Sequence, residues 1–103
     1  MNYLGRRIIL PKQDGTMLPP VEVMRSDIDY NRHMNNANYV RIAMELLPEG
    51  FEVHDMRVEY RIAAKQSDLL TPTLYPIDGG HIVALAIDDQ PSAIIEFLSH
   101  PQQ

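Results

Sequence analysis

The sequence contains no cysteine. This absence excludes disulfide bonds, thiolate metal sites and a cysteine nucleophile. It is compatible with a reducing compartment, and we expect the protein to be cytoplasmic. The length of 103 residues suits one domain. A chain of this size buries roughly two-thirds of its unfolded surface, which is enough for one core without covalent staples.

Long apolar runs and an excess of positive charge are also missing. No stretch approaches the ~18 apolar residues of a membrane span. The apolar segment after Arg7 stops at Pro11, which is too short for a signal peptide. The 9 basic and 14 acidic side chains give a net charge of −5. We therefore expect a domain whose partners include neither nucleic acid nor a membrane.

Turn-forming residues dominate the start of the chain. Pro11, Asp14-Gly15 and Pro19-Pro20 interrupt any long element there. We predict an N-terminal arm or linker over residues 1–20 and a single domain over residues 21–103.

The remaining pattern predicts one strand, one helix and then four strands. Residues 21–26 alternate weakly and predict the first strand. Apolar residues three or four apart predict a helix over 36–47, capped by Asn35 or Asn36 and stopped by Pro48. The four later strands, in an order that can form a meander, are predicted over residues 53–62, 69–76, 81–88 and 92–99. One sheet wrapped around a single helix, an α+β fold, is the simplest way to bury this arrangement.

The polar stretch between the first strand and the helix, "DIDYNRHMNNAN", needs a separate explanation. A helix cap accounts for one or two of its four asparagines, because one cap needs one side chain. A calcium loop would need glycine at Arg32 and glutamate at Asn38, and an arginine inside a cation cage is repulsive. No two histidines of the chain have the spacing of a helical zinc pair, so we predict no metal site.

An acyl-transfer site is the third interpretation of this stretch. Asp29, Asn31 and His33 alternate, so in an extended segment their side chains point the same way and can orient water and take its proton. Free amides at the start of the helix, near Asn35 and Asn36, carry partial positive charge and can polarise a carbonyl oxygen. Together these features indicate hydrolysis of an ester or thioester without a serine or cysteine nucleophile.

The stretch "SDIDYNRHMNNANYVRIAMELLP" closely resembles the segment of acyl-acyl carrier protein (ACP) thioesterases written D-x-D-x-N-x-H-x-N-N-x-x-Y, which a glutamate follows near the helix end. The matching positions here are Asp27, Asp29, Asn31, His33, Asn35, Asn36, Tyr39 and Glu45. The resemblance identifies the chain as similar to the C-terminal of the family's two hotdog domains. It implies a hotdog fold, which is a curved antiparallel sheet of about five strands wrapped around one central helix.

The same resemblance implies hydrolysis of fatty acyl thioesters of ACP or CoA, in fatty acid biosynthesis, by water that an aspartate activates. Asp29, Asn31 and His33 align with the family's catalytic residues, and Asn35 and Asn36 lie where a helix N-terminus would hold the oxyanion. No cofactor is implied. Because family members have two hotdog domains, we expect a homodimer or pairing with another hotdog domain.

The sequence departs from the family pattern after "EYR". Family members carry a glutamate there, and plant-type members a cysteine after it; this chain has Ala63 and Ala64. The departure favours an alternative function, a catalytically weak or inactive hotdog module that binds acyl ligands or pairs with a second hotdog domain.

Overall fold

The computed structural model describes residues 7–29 and 32–99. The described part of the chain forms a 6-stranded antiparallel sheet and one α-helix. The elements are β1 (Thr16–Met17), β2 (Val21–Glu22), α1 (Asn36–Glu45), β3 (Asp55–Tyr60), β4 (Leu69–Ile77), β5 (Gly80–Ile87) and β6 (Gln90–Leu98). The predicted α+β arrangement of a sheet against a single helix is confirmed. Within the described ranges, no helix has the length and apolar character needed to cross a membrane.

The first strand is shorter than predicted. It ends at Glu22, and Arg25–Asp27 forms a turn of 3₁₀-helix instead of continuing the strand to residue 26. The cause is Asp27, whose Oδ2 accepts the Met24 amide at 2.9 Å while its own amide donates to the Met24 carbonyl at 2.9 Å. Such local side-chain bonds compete with a strand ladder, and here they win.

The helix starts where the sequence predicts and stops two residues earlier than predicted. Asn35 is the N-cap, and its Oδ1 accepts the Ala37 amide at 2.8 Å. The amides of Leu46 and Leu47 donate to carbonyls three residues back, at 3.1 and 3.2 Å. These bonds tighten the last turn ahead of Pro48, which cannot continue a helix.

Strand order in the sheet is β1-β4-β5-β6-β3, with β2 also pairing β4. β4, β5 and β6 form the predicted hairpins; Asp88 and Asp89 in the second turn have φ of 48° and 68°, the backbone of a tight two-residue connection. The predicted meander is wrong at its first step. β3 pairs with β6, from Asp55 opposite Leu98 to Tyr60 opposite Ala93, and not with β4. The connection over residues 61–68 is too long for a tight hairpin and carries the chain to the opposite side of the sheet.

The two faces of the sheet bury separate apolar clusters. The larger cluster lies between the sheet and α1. Its buried members are Val23, Met34, Tyr39, Ile42, Ala43, Ala64, Leu70, Val83, Leu85, Ala93, Ile95 and Phe97. The smaller cluster lies on the outer face and consists of Ile8, Ile82, Ala84 and Ile94, with Leu10, Tyr75 and Ile77 packed against it.

The described part of the predicted arm, residues 7–20, lies across this outer face. The Ile8 amide donates to Glu59 Oε1 at 2.7 Å, on β3, and Gln13 Nε2 donates to the Pro76 carbonyl at 3.3 Å, on β4. β1 then pairs with β4. The arm therefore crosses from one side of the sheet to the other and covers apolar residues that would otherwise face water. The division of the chain at residue 20 stays a prediction.

His81, near the start of β5, is a partly buried titratable group. Its ring meets the edge of the Phe51 ring at 5.0 Å, and its Nδ1 is buried with no hydrogen-bond partner among the described residues. Burial lowers the pKa of the His81 imidazole below 6.5. The folded protein therefore holds His81 neutral more strongly than the unfolded chain does.

The free energy of unfolding is expected to fall as the pH is lowered from about 7.5 to 5, because the unfolded chain takes up a proton at His81 before the folded chain does. The stabilisation is complete above the ordinary histidine pKa and is lost as the pH falls through the lower folded-state value. Urea unfolding at several pH values checks this. His81→Gln should have a flatter profile over this range, and a profile parallel to that of the wild type would contradict the assignment.

Candidate functional site

The polar stretch before α1 folds back on itself instead of running extended. Ile28 and Met34 form an antiparallel bridge, the Asp29 amide donates to the His33 carbonyl at 3.1 Å, and the Arg32 amide donates to the Asp29 carbonyl at 2.9 Å. Arg32 has a φ of 67°, a left-handed conformation that reverses the chain direction. The predicted extended segment is therefore wrong, and we call the described residues of this segment, 28–29 and 32–34, the site hairpin.

The site hairpin nevertheless brings two of the predicted residues together. Asp29 and His33 lie opposite each other, next to the Ile28–Met34 bridge. Residues opposite each other in an antiparallel pair have Cβ atoms about 5 Å apart on the same face. The proximity inferred from alternation along a strand thus arises from pairing across a hairpin. Asn31 lies outside the described residues, so its predicted role stays a prediction.

Asn35 and Asn36 play different parts at the start of α1. Asn35 uses its side chain for the Ala37 amide at 2.8 Å and its carbonyl for the Asn38 amide at 2.9 Å. These two amides are therefore not free, contrary to the prediction of several bare amides. The Asn36 amide has no hydrogen-bond partner among the described residues. One first-turn N–H, with the positive end of the helix dipole behind it, remains for a ligand.

A groove of about 280 Å³ opens at this end of α1. It lies where the site hairpin, the first turns of α1 and the end of β3 meet. The lining residues are His33, Met34, Asn36, Tyr39, Tyr60, Arg61, Ile62 and Ala63. Two predicted site residues, His33 and Asn36, thus line one groove. Asp29, which is half-buried, and Asn35 are not part of its lining.

Tyr60 joins β3 to the helix start across this groove. Its hydroxyl donates to the Asn36 carbonyl at 3.2 Å, and its ring meets that of Tyr39 edge to face at 5.6 Å. Burial raises the pKa of the Tyr60 phenol above 10.0, and the neighbouring Tyr39 raises it further by a smaller amount. The phenol therefore stays protonated at neutral pH and keeps its donor for Asn36.

A buried hydrogen-bond network holds the opposite wall of the groove, residues 61–64. The Tyr39 hydroxyl accepts the Ala64 amide at 2.7 Å and lies 3.4 Å from Ser92 Oγ. Ser92 Oγ in turn donates to the Ile62 carbonyl. Each bond of this kind contributes about 0.5–1.5 kcal/mol and fixes the wall on which Ala63 stands.

Ala63 and Ala64, the two departures from the family pattern, occupy different environments. Ala63 is exposed and lines the groove. Ala64 is fully buried, and its carbonyl accepts the Met34 amide at 3.1 Å. No described lining residue carries a carboxylate, and the guanidinium of Arg61 is paired with Glu59 at 2.6 Å. A longer acidic side chain at position 63 would supply the missing acid.

Two residues without a role in the sequence analysis, Asp27 and Ser92, form hydrogen bonds that hold the segments around the site. Asp27 is buried and bonded to the segments on either side of the site hairpin. Ser92 anchors the groove wall through Tyr39 and Ile62. The motif position of Asp27 was a usable signal, because aspartate before a turn often bonds nearby amides. Ser92 gave no signal, since its contacts are far away in sequence. Among the described residues, no three His, Asp or Glu side chains are grouped to hold a metal ion.

Comparison with protein families gives one assignment. Residues 11–74 match the family described as Acyl-ACP thioesterase C-terminal domain. This span contains the site hairpin, α1, β3 and all residues that line the groove. None of the curated protein sequences matches the chain.

Several solved structures have the same fold. An acyl-ACP thioesterase from Bacteroides thetaiotaomicron superimposes with a TM-score of 0.73 and 16% identity, over 88% of this chain and 42% of that one. The 12:0-ACP thioesterase from Umbellularia californica gives 0.74 and 18%, over 93% and 39%. A hypothetical protein from Staphylococcus aureus, solved in complex with CoA, gives 0.71 and 20%, over 82% and 74%. The chain thus spans 42% and 39% of the two acyl-ACP thioesterases, and the predicted hotdog fold is confirmed.

Proposed function

Because this chain belongs to the acyl-ACP thioesterase family, as a C-terminal domain, we propose that it hydrolyses fatty acyl thioesters of ACP or CoA. The observation that carries the proposal is the groove at the N-terminus of α1. There His33 and Asn36 line the same groove, the Asn36 amide has no hydrogen-bond partner among the described residues, and Asp29 is the residue opposite His33 in the site hairpin. These are the parts that water attack on a polarised carbonyl needs. A cytoplasmic location, favoured by the absence of cysteine, belongs to the same proposal.

In the proposed reaction, the thioester carbonyl oxygen accepts the Asn36 amide. Asp29 takes a proton from water as the water oxygen attacks the carbonyl carbon, which gives a tetrahedral oxyanion at the helix N-terminus. The C–S bond then breaks, and the proton held by the site passes to the leaving thiolate. The products are a fatty acid and the free thiol of the carrier. In this scheme His33 orients the cluster or relays the proton, and Asn31 donates to water or substrate.

The partner of the sheet is part of the proposal. One edge of the sheet carries the short strands β1 and β2, which Pro19-Pro20 separates; prolines of this kind protect an edge from pairing. The other edge is β3, a 6-residue strand with no partner on that side among the described residues. Met56 and Tyr60 on β3 are large apolar or aromatic side chains that are each 43% exposed, and Ile62 beyond β3 is 40% exposed. We propose that a second copy or another hotdog domain covers this face.

A homodimer is accordingly expected at micromolar concentration, by light scattering on a sizing column. Met56→Lys should shift the population to monomer, because it puts a charge on the face proposed to be covered. Met17→Lys is the matched control, since Met17 lies on the opposite sheet edge and is 71% exposed. A wild-type monomer, or equal effects of the two variants, would argue against self-association through β3.

A second candidate function comes from Ala63. A hotdog module that binds acyl ligands without hydrolysing them, or that only pairs with another hotdog domain, needs no carboxylic acid at position 63. Among the described residues that line the groove, none carries a carboxylate. The two functions differ in whether the acyl group is released from its carrier.

The deciding experiment is a thiol-release assay with medium- and long-chain acyl thioesters, each presented on ACP and on CoA. Turnover above the spontaneous rate supports the thioesterase. Saturable acyl binding without turnover supports the module. Neither turnover nor acyl binding at high protein concentration would overturn both the thioesterase and the acyl-binding module.

A further inference from the structure

Among the residues that the structure describes, Asp27 is the one charged residue that is buried, with 7% of its surface exposed. Both oxygens of its carboxylate are engaged. Oδ2 accepts the Met24 amide at 2.9 Å, and Oδ1 accepts Arg41 Nη2 at 3.1 Å. The first bond ties Asp27 to the 3₁₀ turn before the site hairpin, and the second ties it to α1 after the hairpin.

The main-chain carbonyl of Asp27 makes two further bonds. It accepts the Asn35 amide and the Asn38 side-chain amide, each at 3.1 Å. Asn35 leaves the site hairpin and caps α1, whereas Asn38 lies in the first turns of the helix. One residue is therefore bonded to every segment that enters or leaves the site hairpin.

The base of the site hairpin is also held by apolar packing, because the Met34 side chain is buried in the larger cluster and Ile28 packs against that cluster. Apart from the Ile28–Met34 bridge and its internal turn, its described backbone contact with the rest of the protein is the Met34 amide on the Ala64 carbonyl at 3.1 Å. Isolated two-stranded hairpins are marginally stable in water. These contacts hold the hairpin at Ile28 and Met34, whereas the described bonds that join its two flanking segments to each other, which we call the clamp, all involve Asp27.

We infer that Asp27 is a positioning residue of the site, which acts through Arg41, Asn35 and Asn38 to hold Asp29 and His33 at the N-terminus of α1. The inference rests on the proposed function for its catalytic consequence. The clamp itself is a property of the protein without substrate, so the two can be tested separately.

The clamp requires a carboxylate in particular. Asn at position 27 has one acceptor oxygen, and its NH₂ group would face either the Met24 amide or the Arg41 guanidinium, both of which are donors. Asp27→Asn therefore breaks one of the two side-chain ties while it preserves the size of the side chain. Asp78→Asn, in the exposed turn between β4 and β5, makes the same chemical change far from the hairpin.

The test combines backbone order parameters from NMR, on substrate-free protein, with steady-state kinetics. In Asp27→Asn, the order parameters of Asp29 and His33 should fall from about 0.85 to below about 0.6. The order parameter of Ile95 in β6 should stay at about 0.85, the value of a rigid backbone. The kcat should fall about 10- to 100-fold, the factor for one lost charge-assisted hydrogen bond, with KM within about 2-fold. Asp78→Asn should match the wild type. A loss of stability alone would leave the order parameters of the folded protein unchanged.

A pair of variants at Arg41 covers the case in which Asp27→Asn does not fold. The Arg41 side chain is 58% exposed, so Arg41→Gln should fold and should loosen the same two residues to a smaller degree. Arg41→Lys, which keeps the charge, should restore rigidity and rate.

Each outcome decides the inference. A hairpin that stays rigid in Asp27→Asn and Arg41→Gln overturns it, as does mobility spread equally to Ile95. A loosened hairpin with unchanged kcat also overturns it, because position would then not matter for the reaction. If the wild type has no turnover, the proposed function fails. The order parameters of the variants still decide whether Asp27 holds the site hairpin in place.

Discussion

Asp29→Asn is expected to lower kcat for acyl thioester hydrolysis by a factor of ~10²–10⁴, the range for loss of a positioned general base. The asparagine side chain has nearly the same size but cannot take a proton from water. The amide and carbonyl of residue 29 belong to the turn with His33 and Arg32, and the substitution leaves these backbone bonds in place. The fold should therefore survive, and the loss should lie in kcat with little change in KM.

Thiol release with a saturating acyl thioester measures this effect, and thermal unfolding verifies the fold. Asp78→Asn again serves as the matched surface variant, because it changes an aspartate in an exposed turn. If Asp29→Asn retained the full rate, the base would have to be another group, and the proposed role of the site hairpin would be lost. A fall in KM together with kcat would instead indicate that Asp29 strains the bound substrate.

Local signals in the sequence were sufficient to predict the helix and the four later strands. The cap at Asn35 and the stop before Pro48 each depend on a few neighbouring residues, and both occur in the structure. The pairing of β3 with β6 had no such signal. It depends on contacts between residues about 40 positions apart, where chain order favours a meander but packing against α1 decides.

The residues of the site were also easier to predict than its geometry. The motif singled out Asp29 and His33, but the inference of an extended segment ignored Arg32, whose positive φ reverses the chain. Arginine is not a typical residue for that conformation, so the composition gave no warning. The burial of Ala64 and the exposure of Ala63 could not be predicted from the sequence either, because they depend on the buried hydrogen-bond network around Tyr39.

Ala63→Glu is expected to raise kcat about 10- to 100-fold, less than the ~10²–10⁴ of a fully positioned acid or base, because the surrounding residues are not arranged to hold it. Ala63 is exposed on the groove wall, so a longer side chain can enter the groove without displacing the core. There a carboxylate can accept a hydrogen bond from the His33 imidazole N–H and fix its orientation, as the carboxylate of a catalytic triad does for its histidine.

Ala63→Gln is the control, since glutamine has the same reach and no charge. A gain in the glutamate variant alone would mean that the wild-type groove lacks a carboxylate and otherwise has the parts of a thioesterase. The gain should disappear when Asp29→Asn is added, because both residues serve the same reaction. Equal rates for the glutamate, glutamine and wild-type proteins would contradict the idea that Ala63 limits the enzyme. The limit would then lie in the placement of Asp29 and His33, which the clamp at Asp27 controls.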